Sequence, residues 1–266
     1  MSGTTLSFVL FAVMLALMAV RVPVALAMFV VGSIGYLDLV GLAPYLNYLK
    51  STPYFLFSNY TLSVIPLFIL MGALAEQSGI SRALFNATNA WVGHRRGGVA
   101  MATIAACTLF GAICGSSVAT TATMGRVALP EMLRFNYAPP FATGTLAVGG
   151  TLGILIPPSV ILVVYAITTE QNIAKLFMAA LVPGLMASAF YLTTIQVVTR
   201  RWPHLAPSIA KVGGPERWAA TMQVWPAILI ALVVVGGIYG GVFTPTEGAA
   251  VGAAATLVVA FTQGRM

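Results

Sequence analysis

The sequence predicts an all-α polytopic membrane protein, and three observations predict it. Hydrophobic residues make up 59 % of the 266 residues and charged ones only 7 %, where a soluble domain has about 45–50 % apolar and about 25 % charged residues. A soluble fold of this size could neither hide that much apolar surface nor coat what remained. Apolar runs of membrane-spanning character recur from one end of the chain to the other, each closed by a basic residue or a polar turn. The 26 Gly and 15 Pro belong to the same picture, because membrane helices tolerate both better than soluble helices do. A cytosolic enzyme, a secreted disulfide scaffold and a disordered tail are thereby excluded.

The elements follow in order. Residues 6–20 are apolar and close at Arg21. A second run, 22–42, starts with Pro23 and carries Asp38 near its end. Residues 43–62 are a more polar, aromatic connection, with Asn47, Lys50 and Asn59 among Tyr45, Tyr48, Tyr54 and Phe57; aromatics of this kind suit a membrane interface. Residues 63–75 are apolar again and run into Glu76. Residues 81–98 are amphipathic, with Arg82, Trp91, His94, Arg95 and Arg96. Residues 99–113 are apolar, GSSVATTATMGR interrupts them, and Arg134 closes the segment. Residues 141–167 are apolar but broken by GGTLGILIPPS. A long span, 176–198, closes at Arg200 and Arg201. A polar stretch to Gln223 carries Trp202, Lys211, Glu216, Arg217 and Trp218 and reads as a surface-lying connection. Spans at 224–239 and 246–262 follow, with Arg265 beyond.

The net charge of +7 sets orientation rather than nucleic-acid binding, since the basic residues are few, scattered and without interleaved aromatics. Placing Arg21 in the cytoplasm puts Arg82, Arg95, Arg96, Arg134, Arg200, Arg201, Lys211, Arg217 and Arg265 there too. Only Lys50 and Lys175 remain outside, with the N-terminus, and Arg126 lies within the membrane. This alternation requires residues 98–135 to enter and leave on one side, as a re-entrant helical hairpin with its tip near Cys114–Ser117. Each arm would be about 24–27 Å long. The second arm, with Thr120, Thr121, Thr123, Arg126 and Glu131, is too polar to face lipid. Cys107 and Cys114 are two helical turns apart and read as free thiols in packing positions.

Non-helical chain at membrane depth survives only where protein or a water-filled cavity surrounds it. Two segments have that character: the hairpin tip and residues 149–159. In the second, Pro157 and Pro158 remove two amide donors, and Gly149, Gly150 and Gly153 permit the backbone turns that a break needs. Freed carbonyls and the hydroxyls of Ser116, Ser117, Thr120, Thr121, Thr151 and Ser159 are hard oxygen ligands suited to sodium. Exposed half-helix N-termini suit a substrate carboxylate. Ser, Thr and Gly also serve close helix packing, but two such breaks in adjacent segments favour a binding site. VRVPVALAMFVVG (20–32) and VFTPTEGAAVGAAA (242–255) each place a proline at a span start and run in opposite directions across the membrane. That is the pattern of inverted repeats.

GSSVATTATMG, GTLGILIPPS, the early VPVALA and FTPTEGAA, in this order along essentially the whole chain, resemble the large membrane subunit of tripartite ATP-independent periplasmic (TRAP) transporters. The resemblance implies an inverted-repeat fold, each repeat holding a re-entrant hairpin and a broken helix, that imports organic acids, C4-dicarboxylates or related carboxylates, by an elevator motion. It implies Na+ as coupling ion. It implies a small membrane subunit and a periplasmic solute-binding protein as partners, with the chain multi-pass in a bacterial or archaeal inner membrane. Carried over residue by residue, sodium would be held around Gly115, Ser116, Gly149, Gly150, Thr151, Gly153 and Pro157. Substrate would be held around Ser117, Thr120, Thr121, Pro158 and Ser159. Residues 1–199 would form the first repeat, with the hairpin at about 98–135 and the broken helix at about 140–167. Residues 200–223 would form a cytoplasmic linker, and 224–266 a connecting span and the start of a second repeat that the chain leaves truncated. The alternative is a non-transporting scaffold subunit. No catalytic constellation or phosphate loop stands out, so no enzyme activity is expected. Arg126 could attract an anionic substrate but reads rather as a buried partner for Glu131 or for helix-end carbonyls. Glu247 could be a ligand at the start of a repeat but reads rather as an ordinary acid at a helix start.

Overall fold

The computed structural model describes residues 3–263; Arg265, assigned above to the cytoplasmic side, lies outside the described residues. The described chain is helical, with no strand among these residues. It divides into two compact units, one through Asn59 and one from Tyr60.

The first unit holds α1 (Gly3–Ala19), α2 (Val24–Val40) and α3 (Leu42–Ser58). Gly35 lets α2 lie close to α1, since a Cβ there would stand 2.8 Å from Leu10 Cδ1. Gly41, at φ 91° between α2 and α3, makes a turn that a side chain would strain. Across that turn Tyr45 donates to Ser33 Oγ at 2.6 Å and Tyr36 stacks on Tyr48 at 5.3 Å. The aromatic connection expected at 43–62 is therefore largely a helix: Tyr45 and Tyr48, one turn apart, pack on α2, which a reading of polarity alone did not reveal.

The second unit begins with a 3-10 turn (Tyr60–Ser63), followed by α4 (Val64–Gln77), α5 (Ile80–Val92), α6 (Gly98–Cys114), α7 (Ser117–Arg134) and α8 (Pro139–Leu155). Then come α9 (Val160–Thr168), α10 (Ile173–Arg201), α11 (Gly214–Met222), α12 (Trp225–Tyr239) and α13 (Pro245–Thr262). Helix α6 is the centre. It carries no charged residue and is apolar all round, and such a helix must be buried on every side; nearly all its residues are buried, among α4, α5, α7, α8 and α10. Phe68, Phe85, Phe110 and Phe177 are the largest fully buried side chains of this core. Cys107 and Cys114 are free thiols within it.

Local rules set the helix ends. Pro139 and Pro140 open α8 where the missing amides cost nothing. Asn172 caps α10 by accepting from Lys175 N–H at 3.0 Å. Thr244 and Glu247 form a reciprocal capping box at the start of α13, so Glu247 is the helix-start acid that the sequence suggested. Helix α13 lies on α4, with Gly252 against the Met71 sulfur, and on α12, with Gly248 against Ile238. The polar stretch after α10 docks through α11 onto α5: Trp91 Nε1 donates to Thr221 Oγ1 at 2.9 Å, and the Arg217 guanidinium stands 5.8 Å from the Trp91 ring centre.

Among the described residues, three stretches, Tyr60–Gln77, Ile173–Arg201 and Pro245–Thr262, are long and apolar enough to cross a bilayer alone, or up to five if the bent pairs α8–α9 and α11–α12 each count as one span.

Candidate functional site

The two interrupted segments meet. Helix α6 ends at Cys114, and Gly115, at φ 63°, caps it in the left-handed conformation that favours glycine. Ser116 is then extended (φ −134°, ψ 126°) and caps α7 by accepting from Ala119 N–H at 3.4 Å. Two residues thus reverse the chain. In the next segment α8 stops at Leu155, the Ile156-Pro157-Pro158 run cannot continue it, and Ser159 is extended (φ −133°, ψ 127°). Its hydroxyl accepts from Leu162 N–H at 3.4 Å and starts α9, which bends 47° away from α8. The two serines are local equivalents, each the N-cap of a helix that begins inside the protein.

Backbone joins the breaks. Val160 N–H donates to Gly115 C=O at 3.3 Å. A Cβ on Gly115 would come within 2.7 Å of Pro158 O and 3.5 Å of Ser159 Cα. Contact continues down α7 and α8. A Cβ on Gly153 would strike the Thr120 hydroxyl and stand 2.7 Å from Ser116 O; one on Gly150 would strike the Thr121 hydroxyl and stand 3.4 Å from Ser117 O. Gly115, Ser116, Ser117, Thr120, Thr121, Gly150, Gly153, Pro158 and Ser159 therefore form one continuous seam, with Pro157 buried beside it. Two of the selected residues turn elsewhere. Gly149 faces α6, where a Cβ would meet Cys107 Sγ at 3.0 Å. Thr151 is exposed; its hydroxyl donates to Val148 O at 2.7 Å and lies 3.4 Å from Tyr191 Oη on α10.

The seam is electrically positive at its helix starts and lined by neutral oxygens. The N-termini of α7 and α9 bring their dipole ends to the junction. Thr121 Oγ1 donates to Ser117 O at 2.8 Å, whereas Thr120 Oγ1 is buried with no oxygen or nitrogen partner and has only the Cys114 thiol beside it. A thiol is a weak hydrogen-bond partner, so an ion or water would be better satisfied at this hydroxyl. Among the described residues no group of three His, Cys, Asp or Glu could hold a metal, so a cation here would rest on hydroxyl and carbonyl oxygens.

Gly111 belongs to the seam and was not singled out from the sequence. A Cβ there would lie 3.0 Å from Gly153 Cα and 3.1 Å from Leu152 O. Its signal was spacing: Gly111 and Gly115 are four apart, as are Gly149 and Gly153, the interval that lets membrane helices approach closely. Arg126 corrects the sequence reading. It is ion-paired with Glu76 at the end of α4, while Glu131 pairs with Arg134 at 3.5 Å. Phase on α7 separates Arg126 from Glu131, five residues on, and turns it toward α4.

These features define a helical membrane protein with two broken segments joined at one point. A family model described as tripartite ATP-independent periplasmic transporter, DctM component, matches residues 11–266, and the chain belongs to that family of large permease components. It is 44 % identical over 202 residues to a C4-dicarboxylate TRAP transporter large permease protein of Pseudomonas aeruginosa, covering 76 % of this chain and 47 % of that protein. It is 35 % identical over 191 residues to an ectoine TRAP transporter large permease of Halomonas elongata, covering 71 % and 44 %. It is 32 % identical over 256 residues to an isethionate TRAP transporter permease of Oleidesulfovibrio alaskensis, covering 94 % and 39 %. The matched stretches cover less than half the length of each of these relatives.

Proposed function

We propose that this chain supplies the first half of the transport site in a sodium-coupled importer of organic acids of the C4-dicarboxylate class. The importer works by an elevator motion, with a periplasmic solute-binding protein delivering substrate and a small membrane subunit bracing the permease. The chain sits in the inner membrane with its N-terminus outside. The carrying observation is the junction at which Gly115 C=O accepts from Val160 N–H. It ties the hairpin tip to the helix break, so the N-termini of α7 and α9 and the buried Thr120 hydroxyl, which has no oxygen or nitrogen partner, belong to one structure. Sodium on neutral oxygens would consolidate this junction, and a substrate carboxylate would then meet helix starts already in place. Binding of one therefore favours binding of the other. The sign of the field fits an anion, and the lack of acidic groups in the seam removes a repelling charge. The name of the Pseudomonas aeruginosa relative supports the dicarboxylate class.

The test is uptake of labelled succinate by the complete transporter in proteoliposomes, with and without an inward sodium gradient. Thr120→Val keeps the shape of the side chain and removes the hydroxyl. It should raise the sodium concentration for half-maximal uptake about tenfold or more, the effect of losing one buried oxygen ligand worth about 1.5 kcal/mol. Sodium dependence unchanged in folded Thr120→Val overturns the assignment of that hydroxyl. Uptake independent of sodium in the wild type overturns the coupling.

A further inference from the structure

The turn between α5 and α6 and the end of α10 together build a second polar site, far along the sequence from the seam. A cavity of about 400 Å³ is lined by Arg95, Arg96, Met101, Gln196 and Arg200. Among the described residues, the ion pairs are Arg126–Glu76 and Arg134–Glu131; none of the three arginines around this cavity meets an acid. Three guanidinium groups gathered without a counter-charge repel one another, and a bound anion removes that cost. The backbone that carries them is fixed. Thr199 Oγ1 donates to Arg96 C=O at 3.3 Å, and Gly97 N–H donates to Ala206 C=O at 3.3 Å. Gly97 is at φ 71°, and a Cβ there would meet Thr199 Oγ1 at 2.9 Å, so the turn is closed tightly onto α10. Gln196, one turn before Arg200, adds an amide donor.

We propose that this cavity binds the phosphate group of an anionic membrane lipid. Planar guanidiniums match phosphate oxygens two at a time, and basic pockets between helices at the cytoplasmic side suit such headgroups. The arginines stand at the ends of two apolar helices, α6 and α10, which is headgroup depth. Met101 gives the cavity an apolar wall. Below the cavity the two helices close on each other, where Thr108 of α6 and Ser188 of α10 are hydrogen-bonded at 2.7 Å, so the cavity takes the headgroup and leaves the acyl chains to the surrounding bilayer. The choice of leaflet rests on the orientation proposed above; binding in detergent does not depend on it or on transport.

The experiment is native mass spectrometry of the purified chain after delipidation and titration with phosphatidylglycerol, phosphatidylcholine or inorganic phosphate. One phosphatidylglycerol should be retained in preference to phosphatidylcholine. Arg96→Gln with Arg200→Gln should weaken its binding about 25-fold, near fivefold for each arginine lost at a membrane surface. Arg134→Gln, a basic residue elsewhere, should leave it unchanged. If the glutamine pair does not fold, Arg96→Lys with Arg200→Lys reads the same point: charge stays, two-pronged geometry goes, and binding should fall several-fold. Equal retention in the variants, or equal loss in Arg134→Gln, overturns the site in favour of diffuse surface charge. Displacement of the lipid by millimolar inorganic phosphate, with phosphate itself retained, overturns the lipid and leaves a soluble phosphate ligand.

Discussion

Replacing Gly153 by alanine adds one methyl group where α8 lies closest to the first turn of α7. That methyl would overlap the Thr120 hydroxyl and stand 2.7 Å from Ser116 C=O, where ordinary contact begins at 3.4 Å. Relief therefore needs a displacement of 0.7 Å, the difference between 3.4 and 2.7 Å. Thr120 could rotate, but Ser116 C=O accepts from Thr120 N–H at 3.0 Å and belongs to the first turn of α7. Helices α7 and α8 must then part, and overpacking of this kind costs about 1–3 kcal/mol. Gly144, on the same helix, is the internal control, because a Cβ there meets nothing within 4 Å. Gly144→Ala should gain about 0.5–1 kcal/mol from the better helix propensity of alanine. The two variants should therefore move the thermal unfolding midpoint in detergent in opposite directions. Thr120→Ala added to Gly153→Ala should recover part of the loss and leave the part owed to the carbonyl. If Gly153→Ala is as stable as wild type, or gains as Gly144→Ala does, the close approach of α7 to α8 is wrong.

Two further outcomes follow from side chains outside the seam. The Arg126–Glu76 pair has side-chain exposures of 70 % and 27 %, so water screens it, and a double-mutant cycle with Arg126→Gln and Glu76→Gln should give a coupling of about 0.2–1 kcal/mol. A cycle that instead couples Arg126 to Glu131 would contradict the placement of α4 beside α7. Burial lowers the pKa of His94 below its ordinary 6.5, and Arg217, Lys211 and Arg95 lower it further. The unfolded chain thus takes up the proton first. The stability contributed by neutral His94 is present above pH 6.5 and is lost as pH falls from there through the folded value. His94→Gln should flatten the dependence of the unfolding midpoint on pH between about 5 and 7, and an unchanged slope would refute the effect.

Much of this was legible in the sequence because it depends on neighbours along the chain. Hydropathy marks the spans, since a residue's affinity for lipid is its own property. Gly115 and the Pro157–Pro158 run mark the breaks, since backbone freedom and a missing amide act within a few residues. Glu247 marks a helix start for the same reason, whereas the structure first revealed Ser116, Ser159, Asn172 and Thr244 as helix caps. The limits of α6, α7 and α9 lie within a few residues of the segments read from the sequence. Helix α8, however, stays helical through Gly149, Gly150 and Gly153 to Leu155, so the break is residues 156–159 and not the whole of 149–159. These glycines serve close packing against α6 and α7 instead of turning the backbone.

Tertiary structure alone decided which face each residue presents and to whom. Gly149 and Gly150 are adjacent in sequence, yet one meets Cys107 on α6 and the other Thr121 on α7, because successive helical residues diverge by about 100°. Thr151 passes to the α10 side for the same reason. Arg126 found Glu76, fifty residues earlier, rather than the acid nearest in sequence. Tyr45 and Tyr48 of α3 found Tyr36 of α2. The bond from Val160 to Gly115 joins two breaks forty-five residues apart. Composition and spacing state what each segment is able to do. The partners depend on helical phase and on which helices pack together, and both are settled only when the apolar faces of many distant segments are buried at once.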